Sequence, residues 1–419
     1  MIFAMHVVIF EGARWHTFAP LSLSRPVFML KTGMGTLLDK QIRHLRPTRL
    51  SLWVRPEQEP FVRERVVPKL AIPTTVNQPL DDEPALLVNG RTVHFAQYEY
   101  PPHEGVATDS EGTHVRSALV RIPGLAPRDV AERSARWLKI LELPHMMQQS
   151  RLVSSLWDLI SWNEESLVED ALRFRETVAT RGKPAGPYHL VNDDNVFLGE
   201  AAKLAAGVVL DASKGPVVID HHATVGANSV LHGPCYVGPH AFVRPLTLIR
   251  EGTSIGIASR VGGEISNSII LGYSNKAHDG YLGDSYVGKW VNLGAGTTTS
   301  NLKNTYGEIT VSMGREQVPT GRRRLGSLIG DHVKTAVLTR LMTGTYVGFG
   351  SMLAGAGPSP RFVPSYTFWT EKGPEPYRID KAIEVTQRVF ARRDRGWTKT
   401  DEDLMRYVAA AAPRVEGTA

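Results

Sequence analysis

At 419 residues the chain has room for two or three domains with a large core, and a composition of 42% hydrophobic and 21% charged residues excludes wholesale disorder. Forty-eight Lys and Arg against 42 Asp and Glu leave +6, a small excess that suits anionic small molecules at least as well as nucleic acid. The single cysteine, Cys235, excludes an intrachain disulfide framework and suits a reducing cytoplasm. No stretch approaches the ~18 apolar residues of a membrane span, and Met1–Phe10 lacks the charged leader of a signal peptide, so a cytoplasmic protein is expected.

In chain order, HVVIF (6–10), LSLWV (50–54) and ALLVNG (85–90) read as buried strands. Helical spacing predicts helices over Leu38–Leu45, Pro60–Val67, Val130–Leu143 and Leu152–Thr177. This alternation predicts an α/β domain over 1–185, an open sheet with its ligand at the strand carboxyl ends.

From residue 217 the pattern changes. Stepping by six meets Ile219, Val225, Leu231, Val237, Val243, Ile249, Ile255 and Val261, all aliphatic. Four residues after the first seven come Ala223, Ser229, Cys235, Ala241, Thr247, Thr253 and Ser259, all small. Period six is neither 3.6 nor two; it fits a coil that turns a corner every six residues with one aliphatic side chain inward per side. Three hexapeptides close a triangular coil of about 18 residues, and stacked coils make a parallel β-helix, here expected over 186–357. The period returns at Val287 and Leu293, and again through Ile329, Thr335, Leu341, Val347 and Leu353. Residues 266–281 and 301–326 fall out of phase and are expected to protrude as loops. His221, His222, His232 and His240 invite a metal reading, as in γ-class carbonic anhydrases. No close spacing among them repeats from coil to coil, so no metal is expected.

The Pro-rich GAGPSPRFVPSYTFW leads from the last coil into the extension 358–419. The extension continues with helical spacing over Ile379–Arg393 and a second short helix over Asp401–Ala411. Arg322–Arg324 and the group Arg392, Arg393 and Arg395 read as solvated faces or phosphate contacts. Nothing resembles a base-reading motif, so no nucleic-acid partner is expected.

Residues 244–301 resemble the acetyltransferase half of the bacterial N-acetylglucosamine-1-phosphate uridyltransferase/glucosamine-1-phosphate acetyltransferase family. The text that carries the resemblance is RPLTLIREGTSIG followed by NKAHDGYLGDSYVGKWVNLGAGTTTSN. The whole chain is similar to a divergent, sugar-nucleotidyltransferase-like branch in which GYSNKAHDGYLGDSY and RFVPSY…KAIEVTQRVFARR recur. The resemblance implies a nucleotidyltransferase-like, Rossmann-like first domain, a left-handed β-helix and terminal helices, assembled as a homotrimer with coenzyme A bound between neighbouring helices. It implies acetyl transfer from acetyl-CoA to a hexosamine phosphate or nucleotide sugar. By position, His278 would be the general base, Arg244 and Tyr281 would contact the sugar phosphate, and Asn292 and Asn301 would hold the sugar. The Ala295 N–H, set between Gly294 and Gly296, would face the thioester oxygen. The family lysine near Glu264–Asn267 is replaced by Ser266, with Lys276 as its candidate substitute. Such a transfer needs a base near neutrality, a preorganised oxyanion donor and cations for the phosphate, which these residue types can supply.

The same resemblance places a triphosphate loop after the first strand, where Gly12, Arg14, Arg25 and Lys31 are the candidate nucleotide-binding residues. The family aspartate that helps bind Mg²⁺ after the third strand is replaced by Arg91, and Asp193 and Asp194 match its motif poorly. Mg²⁺ is therefore expected only if this domain transfers nucleotides. The rival readings are a nucleotidyltransferase with a structural β-helix, and a non-catalytic trimeric scaffold or sensor.

Overall fold

The computed structural model describes residues 5–147, 150–177, 186–314, 316–355 and 357–418. The first half is built on a six-stranded sheet ordered Thr74–Val76, Arg49–Trp53, His6–Phe10, Ala85–Asn89, Val115–Val120 and Gly105–Thr108. The first four strands are parallel, Val115–Val120 runs against them, and Gly105–Thr108 pairs antiparallel to it at the edge. His6–Phe10 and Ala85–Asn89 are buried on both faces, as continuous apolar runs in a covered parallel sheet should be. From the His6–Phe10 strand the chain first steps to one side, then crosses back to place Ala85–Asn89 on the other. The crevice beyond Phe10 and Asn89 is therefore the switch point of the sheet.

The three expected strands form, while Thr74–Val76 and the antiparallel pair are too short or too polar to stand out by pattern. Leu37–Leu45 begins at a capping box: Asp39 N–H donates to Thr36 Oγ1 at 3.1 Å and Thr36 N–H to the Asp39 carboxylate at 2.7 Å. The Pro60–Val67 expectation is met by Glu59–Arg65. Two longer expectations break. Val130–Leu143 divides into Pro127–Ala131 and Ala135–Ile140, because Arg133 takes a left-handed φ of 49°. Leu152–Thr177 divides into Leu156–Ser161 and Asn163–Thr177, with Ser150–Leu152 drawn off as a strand against Thr92–His94.

The second half is a parallel β-helix. One face stacks nine strands, from Val196–Leu198 through Cys235–Val237 and Tyr286–Val287 to Phe362–Val363. All eight aliphatics of the six-step series lie in a single buried core, and the small residues four places later are buried at the corners. Val217 pairs with Cys235 and Cys235 with Thr253, so these coils close after three hexapeptides, as the period requires. Strand pairing continues past 357, since Phe362–Val363 stacks on Tyr346–Val347. The expected boundary at 185 falls in 178–185, outside the described residues.

The two out-of-phase segments differ. Residues 301–326 do leave the helix, forming an antiparallel pair of Thr310–Met313 with Glu316–Pro319 whose Ile309 and Val311 are buried. Residues 266–281 do not protrude. The coil simply shortens: Leu248 pairs with Glu264 and Ser254 with Ile269, partners nearer in the chain than a full three-hexapeptide turn would bring. Removing corner residues moves the phase while the stacking persists.

Polar fasteners join the halves. Arg25 forms a buried ion pair with Asp331, which also accepts from Ser24 Oγ and Lys289 N–H, each at 2.7 Å. Lys31 N–H donates to the Tyr286 hydroxyl at 2.7 Å, and its ammonium lies 4.7 Å from the Tyr236 ring centre. Asn163 Nδ2 donates to Gly252 O at 2.7 Å, and Ser254 Oγ donates to Gly33 O at 2.8 Å. The terminal helices are Ile379–Ala391 and Lys399–Val415. Phe390 of the first stacks on Trp290, which stacks on Tyr273, with centroids 4.4 and 4.3 Å apart.

Candidate active site

One corner of the β-helix repeats a left-handed residue in every coil: Asn228, Leu246, Gly263, Gly280, Gly296 and Leu338, with φ from 57° to 117°. Leucine at 246 and 338 shows that this corner conformation alone does not demand glycine. Close approach does: a Cβ at Gly280 would lie 2.2 Å from Thr297 O, and one at Gly263 2.7 Å from Gly280 O. Three successive glycine corners leave a notch of about 570 Å³, flanked by Leu246 at 76% and Leu338 at 71% exposure. Its walls include Arg244, Asp279, His278, Ala295, Gly296 and Val337.

Four of the expected residues thus share one cleft: His278, Arg244, Ala295 and Gly296. His278 is exposed, and its ring makes no hydrogen bond among the described residues. Arg244 is also exposed, and its carbonyl is held by Ser229 Oγ and Thr247 Oγ1 at 2.8 and 2.6 Å. The Ala295 carbonyl accepts from Leu338 N–H at 2.7 Å, while the Ala295 N–H has no partner among the described residues. Gly294 lies outside the notch lining, its N–H committed to Thr335 Oγ1 at 2.9 Å.

Lys276 does not line the notch. It occupies the inward position that Val261 holds one coil earlier, at 3% exposure. Its ammonium donates to Gly262 O at 2.9 Å and to His278 O at 2.6 Å. Burial lowers it to about 8, with Asp279 opposing. It is a strut under the His278 loop, not a group presented to a ligand.

Tyr281 and Asn301 meet on the sheet that follows the notch. Asn301 Nδ2 donates to the Tyr281 hydroxyl at 3.0 Å and to Asp284, which also accepts from Asn267 at 2.6 Å. Burial raises the Tyr281 phenol, and Asp284 and Glu264 raise it further. Asp284, the hub of this network, was missed in the sequence because an aspartate in a repeat of small polar corners has no distinguishing pattern. Asn292 lies apart, on an outer face, where Asn275 Nδ2 reaches its Oδ1 at 3.3 Å. Of the terminal arginines, Arg392 and Arg395 are exposed as expected, with Arg395 5.1 Å from the Tyr273 ring centre, while Arg393 is half-buried and donates to Asn275 Oδ1 at 2.8 Å.

His222 and His240 stack with centroids 5.0 Å apart, because each stands at the same corner of successive coils, a repetition the sequence reading overlooked. His221 sits beside them, its Nδ1 2.7 Å from Asp220 Oδ1. No group of three or more His, Cys, Asp or Glu suited to hold a metal occurs among the described residues.

In the first half, Gly12 and Arg14 lie at the switch point, but Arg25 and Lys31 do not. Arg25 is spent on Asp331, and Lys31, lowered to about 8 by burial, lies against Tyr236. Asp193 and Asp194 stand in an exposed turn at the start of the β-helix. The switch-point lining carries arginines and no carboxylate, so its donor set does not fit Mg²⁺, which takes oxygen ligands.

Residues 7–177 match the model of the sugar nucleotidyl transferase family. A bifunctional sugar-1-phosphate nucleotidylyltransferase/acetyltransferase of Sulfurisphaera tokodaii is 33% identical over 32% of this chain and 34% of that protein. The bifunctional protein GlmU of Methanococcus vannielii is 36% identical over 28% of this chain and 27% of that protein. Part of the chain is thus similar to part of these bifunctional proteins. The matches span about a third of the length of those curated relatives. An Arabidopsis UDP-N-acetylglucosamine acyltransferase structure matches 56% of this chain and 93% of that one at 12% identity, with a TM-score of 0.22. No helix among the described residues is long and apolar enough to cross a membrane.

Proposed function

We propose that the glycine notch transfers an acetyl group from acetyl-CoA to the amino group of a hexosamine phosphate or nucleotide sugar. The observation that carries this reading is that His278, Arg244 and the free Ala295 N–H converge on one cleft. His278 takes a proton from the amine as its nitrogen attacks the thioester carbon. The tetrahedral oxyanion forms against the Ala295 N–H, a contact worth roughly 3 kcal/mol where such donors have been removed. The C–S bond then breaks, and the thiolate leaves with the proton that His278 holds. Arg244 anchors the phosphate, and the Tyr281–Asn301–Asp284 network orients the sugar.

The exposed Leu246, Val337 and Leu338 flank this cleft, which supports assembly as a homotrimer with coenzyme A lying along the shared edge. The buried free thiol of Cys235 supports a cytoplasmic setting. The match over 7–177 favours a second role for the first half, recognition of a phosphorylated sugar or nucleotide.

The test is thiol release from acetyl-CoA with glucosamine-1-phosphate. Loss of about a hundredfold or more in His278→Ala is expected; equal rates in both proteins would remove His278 from the chemistry. Pyrophosphate release from UTP and sugar phosphate without any thiol release would transfer the activity to the first half.

A further inference from the structure

The switch-point pocket of the first half holds about 60 Å³, lined by Gly12, Arg14, Asn89, Arg91, His114 and Arg133 among others. Three guanidinium groups and an imidazole converge there. Arg14 Nη1 lies 3.3 Å from His114 Nε2. Arg91 is 3% exposed; its Nη1 donates to Val153 O at 3.0 Å while its Nε finds no partner. Burial lowers Arg91 to about 10, with the Arg14 charge adding to the effect. Burial also lowers His114, followed by the charges of Arg91, Arg14 and Arg133, against the opposing pull of Asp109.

Asp109 is the carboxylate that faces this group, and its Oδ1 is already taken by the Thr113 and His114 N–H groups of its own turn, at 2.8 and 3.1 Å. Like charges brought together with so little compensation raise the energy of the empty pocket and lower that of an anion-filled one. Gly12 completes the opening. Its φ of −79° is ordinary, and a Cβ there would meet nothing closer than Asn89 Nδ2 at 3.7 Å, so the missing side chain leaves room for a ligand.

We propose that this pocket binds a phosphoryl group directly through Arg14, Arg91 and Arg133, without a divalent cation. A metal-dependent phosphate site needs carboxylate oxygens to hold the ion, which then bridges the phosphate. Here the lining offers guanidinium groups and no carboxylate, and their fork geometry matches phosphate oxygens without an intermediary. The volume accommodates one phosphoryl group, with the rest of the ligand outside. The inference is independent of acetyl transfer at the notch.

Calorimetric titration of the full chain with inorganic phosphate, in EDTA and then in excess Mg²⁺, tests it. Equal affinity in both buffers is expected, with about a tenfold or greater loss in Arg133→Ser and none in Arg361→Ser, an exposed arginine that lines neither cleft. Arg91→Met should weaken binding further; because that residue also supports Val153, the exposed Arg133 gives the reading if the buried variant fails to fold. Binding that requires Mg²⁺, undiminished binding in Arg133→Ser, or no binding would each overturn the proposal. Displacement of phosphate by glucosamine-1-phosphate assigns the site to sugar phosphates, and displacement by UTP assigns it to nucleotides. Displacement by neither would also overturn it.

Discussion

Replacing Lys276 with methionine separates a strut from a substrate contact. The side chain fills an inward position held by Val261 and Leu293 in the adjoining coils, so methionine fits the slot. Removing the ammonium relieves a desolvation cost. The fall from 10.5 to about 8 corresponds to about 3 kcal/mol. Against this, two hydrogen bonds to Gly262 O and His278 O are lost, together worth about 3–5 kcal/mol for a charged donor. The terms nearly cancel, so the melting temperature should move by no more than about 2 °C. The His278 loop, however, loses its tether. Thiol release should fall about tenfold in kcat with little change in KM for the sugar phosphate, because on the proposed assignment His278 is misplaced while Arg244 is not. A large rise in KM with kcat unchanged would make Lys276 a substrate ligand after all. A fall in melting temperature beyond about 5 °C would refute the cancellation. The same shift fixes a pH dependence. The folded state binds fewer protons than the unfolded state between about pH 8 and 10.5, so this lysine's contribution makes wild-type stability rise across that window, and the rise should shrink in Lys276→Met.

Gly280→Ala forces a Cβ to within 2.2 Å of Thr297 O at a φ of 117° and should cost about 3 kcal/mol or more, seen as an earlier thermal melt. Asp331→Ala strands the buried Arg25 and should cost about 3–5 kcal/mol in denaturant melts, whereas joint replacement of both partners by apolar residues recovers most of it. Burial pushes the Asp331 carboxyl up, but Arg25, His332, Ser24 Oγ and Lys289 N–H outweigh burial and hold it below the usual range. Its stabilisation is therefore present above about pH 4 and is lost as pH falls through the folded value, a loss Asp331→Ala should not show. Leu338→Asp places a charge on the exposed edge of the notch and, on the proposed trimeric assembly, should lower the mass measured by light scattering to that of a monomer; an unchanged mass would separate this edge from assembly.

The β-helix was legible because every sixth residue meets the same buried environment, and Ile219 through Val261 carry that constraint without interruption. The sheet of the first half was legible only in its covered strands; Thr74–Val76 and the break at Arg133 depend on pairing and a left-handed φ that no periodicity announces. The interface was opaque for a further reason. Arg25 and Lys31 are far in the chain from Asp331 and Tyr286, and a cation near a strand end looks the same whether it awaits a phosphate or meets a buried carboxylate.

The residues of the notch show why loss of phase is itself informative. Between 248 and 281 the coils close early, at Glu264 for Leu248 and at Ile269 for Ser254, and in the sequence this appears only as a broken period. The stacking persists through the shortened coils, so a Cβ at Gly263 or Gly280 would collide with the next coil, whereas Leu246 and Leu338 stand exposed at either side. The shortening also puts a lysine where the period wants an aliphatic, and that lysine holds the His278 backbone from beneath. A regular repeat presents the same packed surface at each coil and has no place to receive a ligand. The interruption supplies one: fewer corner atoms, a cleft between two exposed leucines, and a histidine carried on the segment that lost the repeat.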